Sequence, residues 1–121
     1  MYQQGNTPIN LVQLHRISEG DIEFEIEVLQ VYVKDILDRV EKVREAIANK
    51  DYLQIAKDAH HMKGASGNVG ALQIRDLAVQ IGGLDLEQDL EKVSKILDDA
   101  SIEIQAVDAF VLQKSVTFLS K

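Results

Sequence analysis

An all-α fold is the class this sequence predicts, an antiparallel up-down-up-down four-helix bundle with a short additional helix at its N-terminus. Three observations carry it. Apolar residues recur at three- and four-residue steps over long runs, the only proline is Pro8, and the short polar or glycine-containing breaks favour antiparallel neighbours. The alternation in Ile22-Glu23-Phe24-Glu25-Ile26-Glu27-Val28 resembles a strand in isolation. Its apolar stripe continues helically far beyond that segment, so it reads as helix.

Taken in order, Pro8 suits the first turn of a helix with Thr7 as N-cap. Leu11, Leu14 and Ile17 fit a short helix ending near Gly20, placed as a lid across the others. Asp21 offers the next cap, and Ile22, Ile26, Leu29, Val33, Ile36, Leu37, Val40, Val43 and Ile47 trace one long stripe. Asn49-Lys50-Asp51 provides a turn and a cap. The third helix then runs from about Asp51 to Val69, with Gly70 as its break. A fourth spans Ala71 to Ile81 and stops at Gly82-Gly83. Leu86, Leu90, Val93, Leu97, Ala100, Ile104, Val107 and Val111 trace the last. Residues 1–121 read as one domain, with a flexible lead-in at 1–7 and a core over about 8–117.

Composition narrows the function. The 121 residues contain no cysteine, which excludes disulfides and thiolate zinc sites. The start lacks the pattern of a signal peptide, and no stretch approaches the roughly 18 unbroken apolar residues of a membrane span; a cytoplasmic location is expected. A formal charge of −7 without a basic stripe argues against nucleic acid. No Walker-type loop or kinase signature is present, so neither nucleotide chemistry nor a small-molecule substrate is expected.

The segment Ala59-His60-His61-Met62-Lys63-Gly64-Ala65-Ser66-Gly67-Asn68-Val69-Gly70-Ala71 is the chemical centre of the chain. At about 100° per residue, Ile55, Met62, Ser66 and Val69 mark its buried side and His60 falls opposite. Around His60 the outward face carries Ala56 and Gly64 one turn away, Gly67 two turns away, and Lys57 and Lys63 at three residues on either side. An exposed neutral imidazole is a competent nucleophile toward phosphorus. In-line attack needs the phosphoryl group within about 3 to 3.5 Å, which the small neighbours permit. Lys63, with Lys57 behind it, is placed to offset the charge gained. Ser66 is a secondary member of the segment. His61 reads as a structural residue at the core boundary and His15 as a solvent-exposed spectator. Glycines in a helix usually mark kinks or close packing; on this outward face they read as clearance. A metal-binding bundle would need several Glu-x-x-His pairs, and the chain offers only Asp58-x-x-His61.

These residues resemble the signature of the histidine-containing phosphotransfer (HPt) domain: His, any residue, Leu, Lys, Gly, small residues, then a Gly-Ala pair. Here it reads His60, His61, Met62, Lys63, Gly64, Ala65, Ser66, closing at Gly70-Ala71. Met62 replaces the commoner Leu with apolar volume kept, and Ala65 stands where many members have Ser. The resemblance extends from about Ile9 to Val116. It implies a phosphorelay intermediate without ATP-dependent kinase activity. His60 is the phosphoacceptor, Lys63 the supporting cation and Gly64 the clearance residue. The implied partners are the receiver domains of a hybrid histidine kinase and of a response regulator. It also implies that the catalytic aspartate and Mg²⁺ belong to the receiver, so that this chain needs no cofactor or metal. Receiver docking is expected to use apolar contacts around the histidine. Leu53 is the leading anchor, with Ala56, Gly64 and Gly67 beside it, and the Ile9 to Leu14 stretch is a second anchor. The alternative is an adaptor that keeps the fold and binds or sequesters a receiver without carrying phosphate.

Overall fold

A computed structural model describes residues 7–120. Residues 1–6, where the expected flexible lead-in falls, and residue 121 lie outside that range. Five helices follow one another: α1 (Leu11–Ser18), α2 (Ile22–Ala48), α3 (Tyr52–Val69), α4 (Leu72–Gly82) and α5 (Leu90–Leu119). Helices α2 to α5 form a ring in which each packs on its sequence neighbours and α5 closes against α2. Paired residues set the directions. Tyr32, Asp35 and Arg39 of α2 meet Ser66, His61 and Asp58 of α3, in reverse order. Glu25 and Arg44 of α2 likewise meet Lys114 and Asp98 of α5. Each of these pairs of helices therefore runs antiparallel.

The core is one cluster drawn from all five helices. In α5 the buried positions Val93, Leu97, Ala100, Ile104, Val107 and Val111 alternate four- and three-residue steps, the spacing of a coiled-coil seam. The α2 stripe is shifted from its sequence pattern: Leu37 and Ile22 are exposed, while Tyr32, Ala46 and Glu25 are buried. Tyr32 is tolerated inside because its hydroxyl pairs with the fully buried Ser66 Oγ at 2.6 Å.

Helix ends follow capping chemistry. Asp21 and Asp51 accept from the backbone N–H groups of Phe24 and Gln54, each at 3.1 Å. Two boundaries depart from expectation. The first helix starts at Leu11 with Asn10 as N-cap, not at Pro8 with Thr7: Asn10 Oδ1 accepts from the Gln13 N–H at 3.0 Å. A tertiary bond selects that cap, since the Asn10 N–H donates to the Gly70 carbonyl at 2.7 Å and holds the chain extended there. Gly70 has φ +85, and a Cβ at that position would lie 2.7 Å from the Asn10 carbonyl oxygen. Glycine is therefore required by both conformation and contact. The last helix begins at Leu90 rather than Leu86, because residues 85–88 form turns in which the Asp85 carbonyl accepts from Gln88 and Asp89. Leu86 remains half-buried against the core.

Helix α1 lies across the ends of α2 and α3, as a lid should. Ile9 and Leu14 are fully buried, so the Ile9 to Leu14 stretch is mainly core and only Val12 is left as an exposed apolar side chain. At its other end Glu19 and Gly20 both take positive φ and fold α1 back onto α2. That corner brings His15 onto Glu25, with Nδ1 and Oε2 2.6 Å apart. His15 is thus not a spectator: it reaches a carboxylate with 0% exposure.

Candidate phosphoacceptor site

Helix α3 presents its chemistry as its periodicity dictates. Ile55, Ala59, Met62, Ser66 and Val69 face the core, and His60 faces out. Neither ring nitrogen of His60 has a hydrogen-bond partner among the described residues. The adjacent His61 differs: its Nε2 lies 2.6 Å from Asp35 Oδ2 on α2. Asp35 also meets Arg39, whose Nη1 donates to Asp58 Oδ1 at 2.8 Å, and Gln54 donates to the second Asp58 oxygen at 2.8 Å. This chain of polar contacts pins the α3 face next to His60 onto α2. Both oxygens of the buried Asp58 are engaged by it, so the Asp58-x-x-His61 pair is a structural tie.

Gly64 carries the sharpest steric information. It is exposed in mid-helix, and a Cβ built on it meets nothing within 4 Å. A glycine there costs up to about 1 kcal/mol relative to alanine, and no contact among the described residues requires it. The space it keeps open is on the outside, one turn from the imidazole.

The structure brings His60, Lys63 and Ala56 to the edge of one groove of about 510 Å³ between α3 and α4. Lys57 is exposed on α3 but does not line that groove. Leu53, two turns before His60, is 69% exposed with no packing role in the core. Ser66 is fully buried against Tyr32, on the side the wheel gives it, and takes no part in the surface. One residue is placed otherwise than the clearance reading requires. Gly67 is half-buried, and its open side is occupied by the Arg75 stem, whose Cδ would stand 3.5 Å from a Cβ at this position. It seats α4 rather than clearing the platform.

The far wall of the groove was not legible in the histidine segment. Val79, Gly82 and Gly83 from the end of α4, with Leu84 and Leu86 from the following loop, complete it. The Gly82-Gly83 pair reads in sequence only as a helix stop. Val79 lies off the buried stripe of Ile74, Ala78 and Ile81 and is the one signal that could have pointed there. Among the described residues, no helix is long and apolar enough to cross a membrane.

Known proteins are similar to this chain over most of its length. The family model described as Hpt domain matches residues 27–110. Histidine-containing phosphotransfer protein 2 of Arabidopsis thaliana is 26% identical over 96% of this chain and 80% of its own length. Histidine-containing phosphotransfer protein 5 of the same organism is 24% identical with the same coverage. Phosphorelay intermediate protein rdeA of Dictyostelium discoideum is 24% identical over 74% of this chain and 35% of its own length. No solved structure gives a significant match.

Proposed function

Since the chain belongs to the Hpt domain family, we propose that it acts as a phosphorelay intermediate that takes a phosphoryl group from a receiver-domain aspartate onto His60 and passes it to a second receiver. The relatives named for histidine phosphotransfer and for a phosphorelay support the relay role. The observation that carries the assignment to His60 is the contrast between two neighbours. One imidazole is exposed and unengaged beside an open glycine, and the other is tied to Asp35.

In this reading the lone pair of one His60 ring nitrogen attacks phosphorus in line. The N–P bond forms as the P–O bond of the acyl phosphate breaks, and the aspartate carboxylate leaves with the electron pair. The reverse step loads the second receiver. Lys63 offsets the charge gained on the ring, and Lys57 adds a weaker, solvent-screened contribution. The Mg²⁺ of the reaction is assigned to the receiver, and the chain acts as a phosphocarrier in the cytoplasm, without ATP-dependent kinase activity.

Incubation with a phosphorylated receiver and Mg²⁺ is expected to put acid-labile, alkali-stable phosphate on the parent chain and none on His60→Gln. Equal labelling of the variant would overturn the assignment. No labelling of the parent by any receiver that binds it would favour the adaptor reading. In the same assay, Lys63→Ala is expected to lower the lifetime or formation rate of the phosphohistidine several-fold while helicity stays unchanged. Identical rates would remove its role.

A further inference from the structure

Helix α5 carries a second apolar seam. Its inner face, from Val93 to Val111, is used by the core. On its outer face Ile102, Gln105, Ala109, Leu112, Val116 and Leu119 repeat the same alternation of three- and four-residue steps, and all six are exposed. Ile102 and Leu112 are each 66% exposed, Val116 52% and Leu119 79%. Single exposed apolar side chains are ordinary, whereas a row of them kept in register along one helix marks a contact surface. Among the described residues only α2 and α4 pack on α5, and neither covers the row.

We propose that this seam pairs with the same seam of a second copy of the chain as a parallel two-stranded coiled coil. In heptad terms the β-branched Ile102 and Val116 stand at a, with Ala109 between them, and Leu112 and Leu119 stand at d. That combination favours two parallel strands. Gln105, the one polar residue of the row, also falls at d. A parallel pair sets it amide against amide with its own counterpart, while an antiparallel pair would set it against an apolar a residue. Only the parallel pairing satisfies it, and doing so fixes the register. Charge permits a second copy in spite of the formal net charge of −7. The positions flanking the seam are Ser101, Ala106, Gln113, Ser115 and Ser120, with Asp108 the single charge among them. In the parallel register Asp108 faces Gln113 of the second copy, so no like charges meet. From Ile102 to Leu119 the seam is about 26 Å long and one helix wide. A contact of that size is at the small end of specific interfaces, so the dimer exchanges with monomer at a Kd on the order of 10 µM. No α5 residue lines the groove beside His60, so pairing leaves both imidazoles accessible. The inference stands apart from the relay reading.

Sedimentation equilibrium of the full chain over about 1 to 300 µM tests it. The parent is expected to pass from monomer to dimer mass across that range. Leu112→Glu combined with Val116→Glu is expected to weaken association about 10-fold or more with helicity unchanged, since both side chains lie outside the core cluster. Val31→Glu, at an exposed position on α2, is expected to leave association unchanged. Because the chain has no cysteine, single substitutions report the direction of pairing. Mild oxidation is expected to join two copies of Leu119→Cys and none of Thr117→Cys, which lies off the seam. A parent that stays monomeric throughout, larger assemblies in place of a dimer, or a dimer that survives the paired glutamates would overturn the proposal. Equal weakening by Val31→Glu would do the same, as would failure of Leu119→Cys to link at concentrations where the parent dimerises.

Discussion

Gly64→Gln is expected to fold at least as stably as the parent and to accept phosphoryl from a receiver about 100-fold more slowly. Both halves follow from one observation, the empty space around a Cβ at this position. Within the chain, glutamine in mid-helix relieves the backbone entropy that glycine costs, worth up to about 1 kcal/mol. Toward a partner, its side chain rises one turn from His60, where in-line attack tolerates little displacement; about 1 Å of misplacement can cost on the order of 100-fold in rate. Thermal denaturation and single-turnover transfer separate the two effects. Gly64→Ala should show the stability gain with a much smaller kinetic loss. Normal transfer by the glutamine variant would remove the clearance argument.

The second large effect is at Glu25, a buried carboxylate that fastens three helices. Ser18 Oγ donates to its Oε2 at 2.5 Å, His15 Nδ1 lies 2.6 Å from the same oxygen, and Lys114 Nζ stands 2.9 Å from Oε1. Desolvation works to raise its pKa, but the contacts from Ser18, Lys114 and His15 together outweigh it. The group is held below the ordinary value near 4.5. Glu25→Ala is expected to cost about 3 kcal/mol at neutral pH, at the lower end for breaking a buried ion pair, because Lys114 can reach water. For a domain of this size that lowers Tm by about 10 °C. A depressed folded-state pKa also means that the unfolded chain binds the proton more readily. The stabilisation is then complete above the unfolded value and is lost as pH falls through the folded one. Denaturant melts should show the parent and Glu25→Gln differing most at pH 7 and converging below about pH 4. A constant gap across that range would contradict the account.

What the sequence disclosed, and what it did not, divides along a physical line. Periodicity and local caps are properties of a few consecutive residues. Asp21, Asp51 and Gly70 therefore mark real helix ends, and the wheel separates His60 from the buried Ile55, Met62 and Val69. Features made by two elements meeting were hidden. Thr7 and Asn10 are both good caps, and only the bond from Asn10 to Gly70 decides between them. His15 looks idle until the Glu19-Gly20 corner turns it onto Glu25. Gly67 and Gly64 look alike on one helix, yet Arg75 of α4 covers one and leaves the other open. The wall formed by Val79, Leu84 and Leu86 belongs to the same class, since nothing local ties those residues to a histidine about 20 positions earlier.

Because His60 and His61 are adjacent, fragmentation mass spectrometry of the phosphorylated chain under alkaline conditions is the most direct test. Phosphoryl on His60 alone is the result expected from an exposed imidazole beside one held by Asp35; phosphoryl on His61, or on neither histidine, would contradict the relay site at its centre.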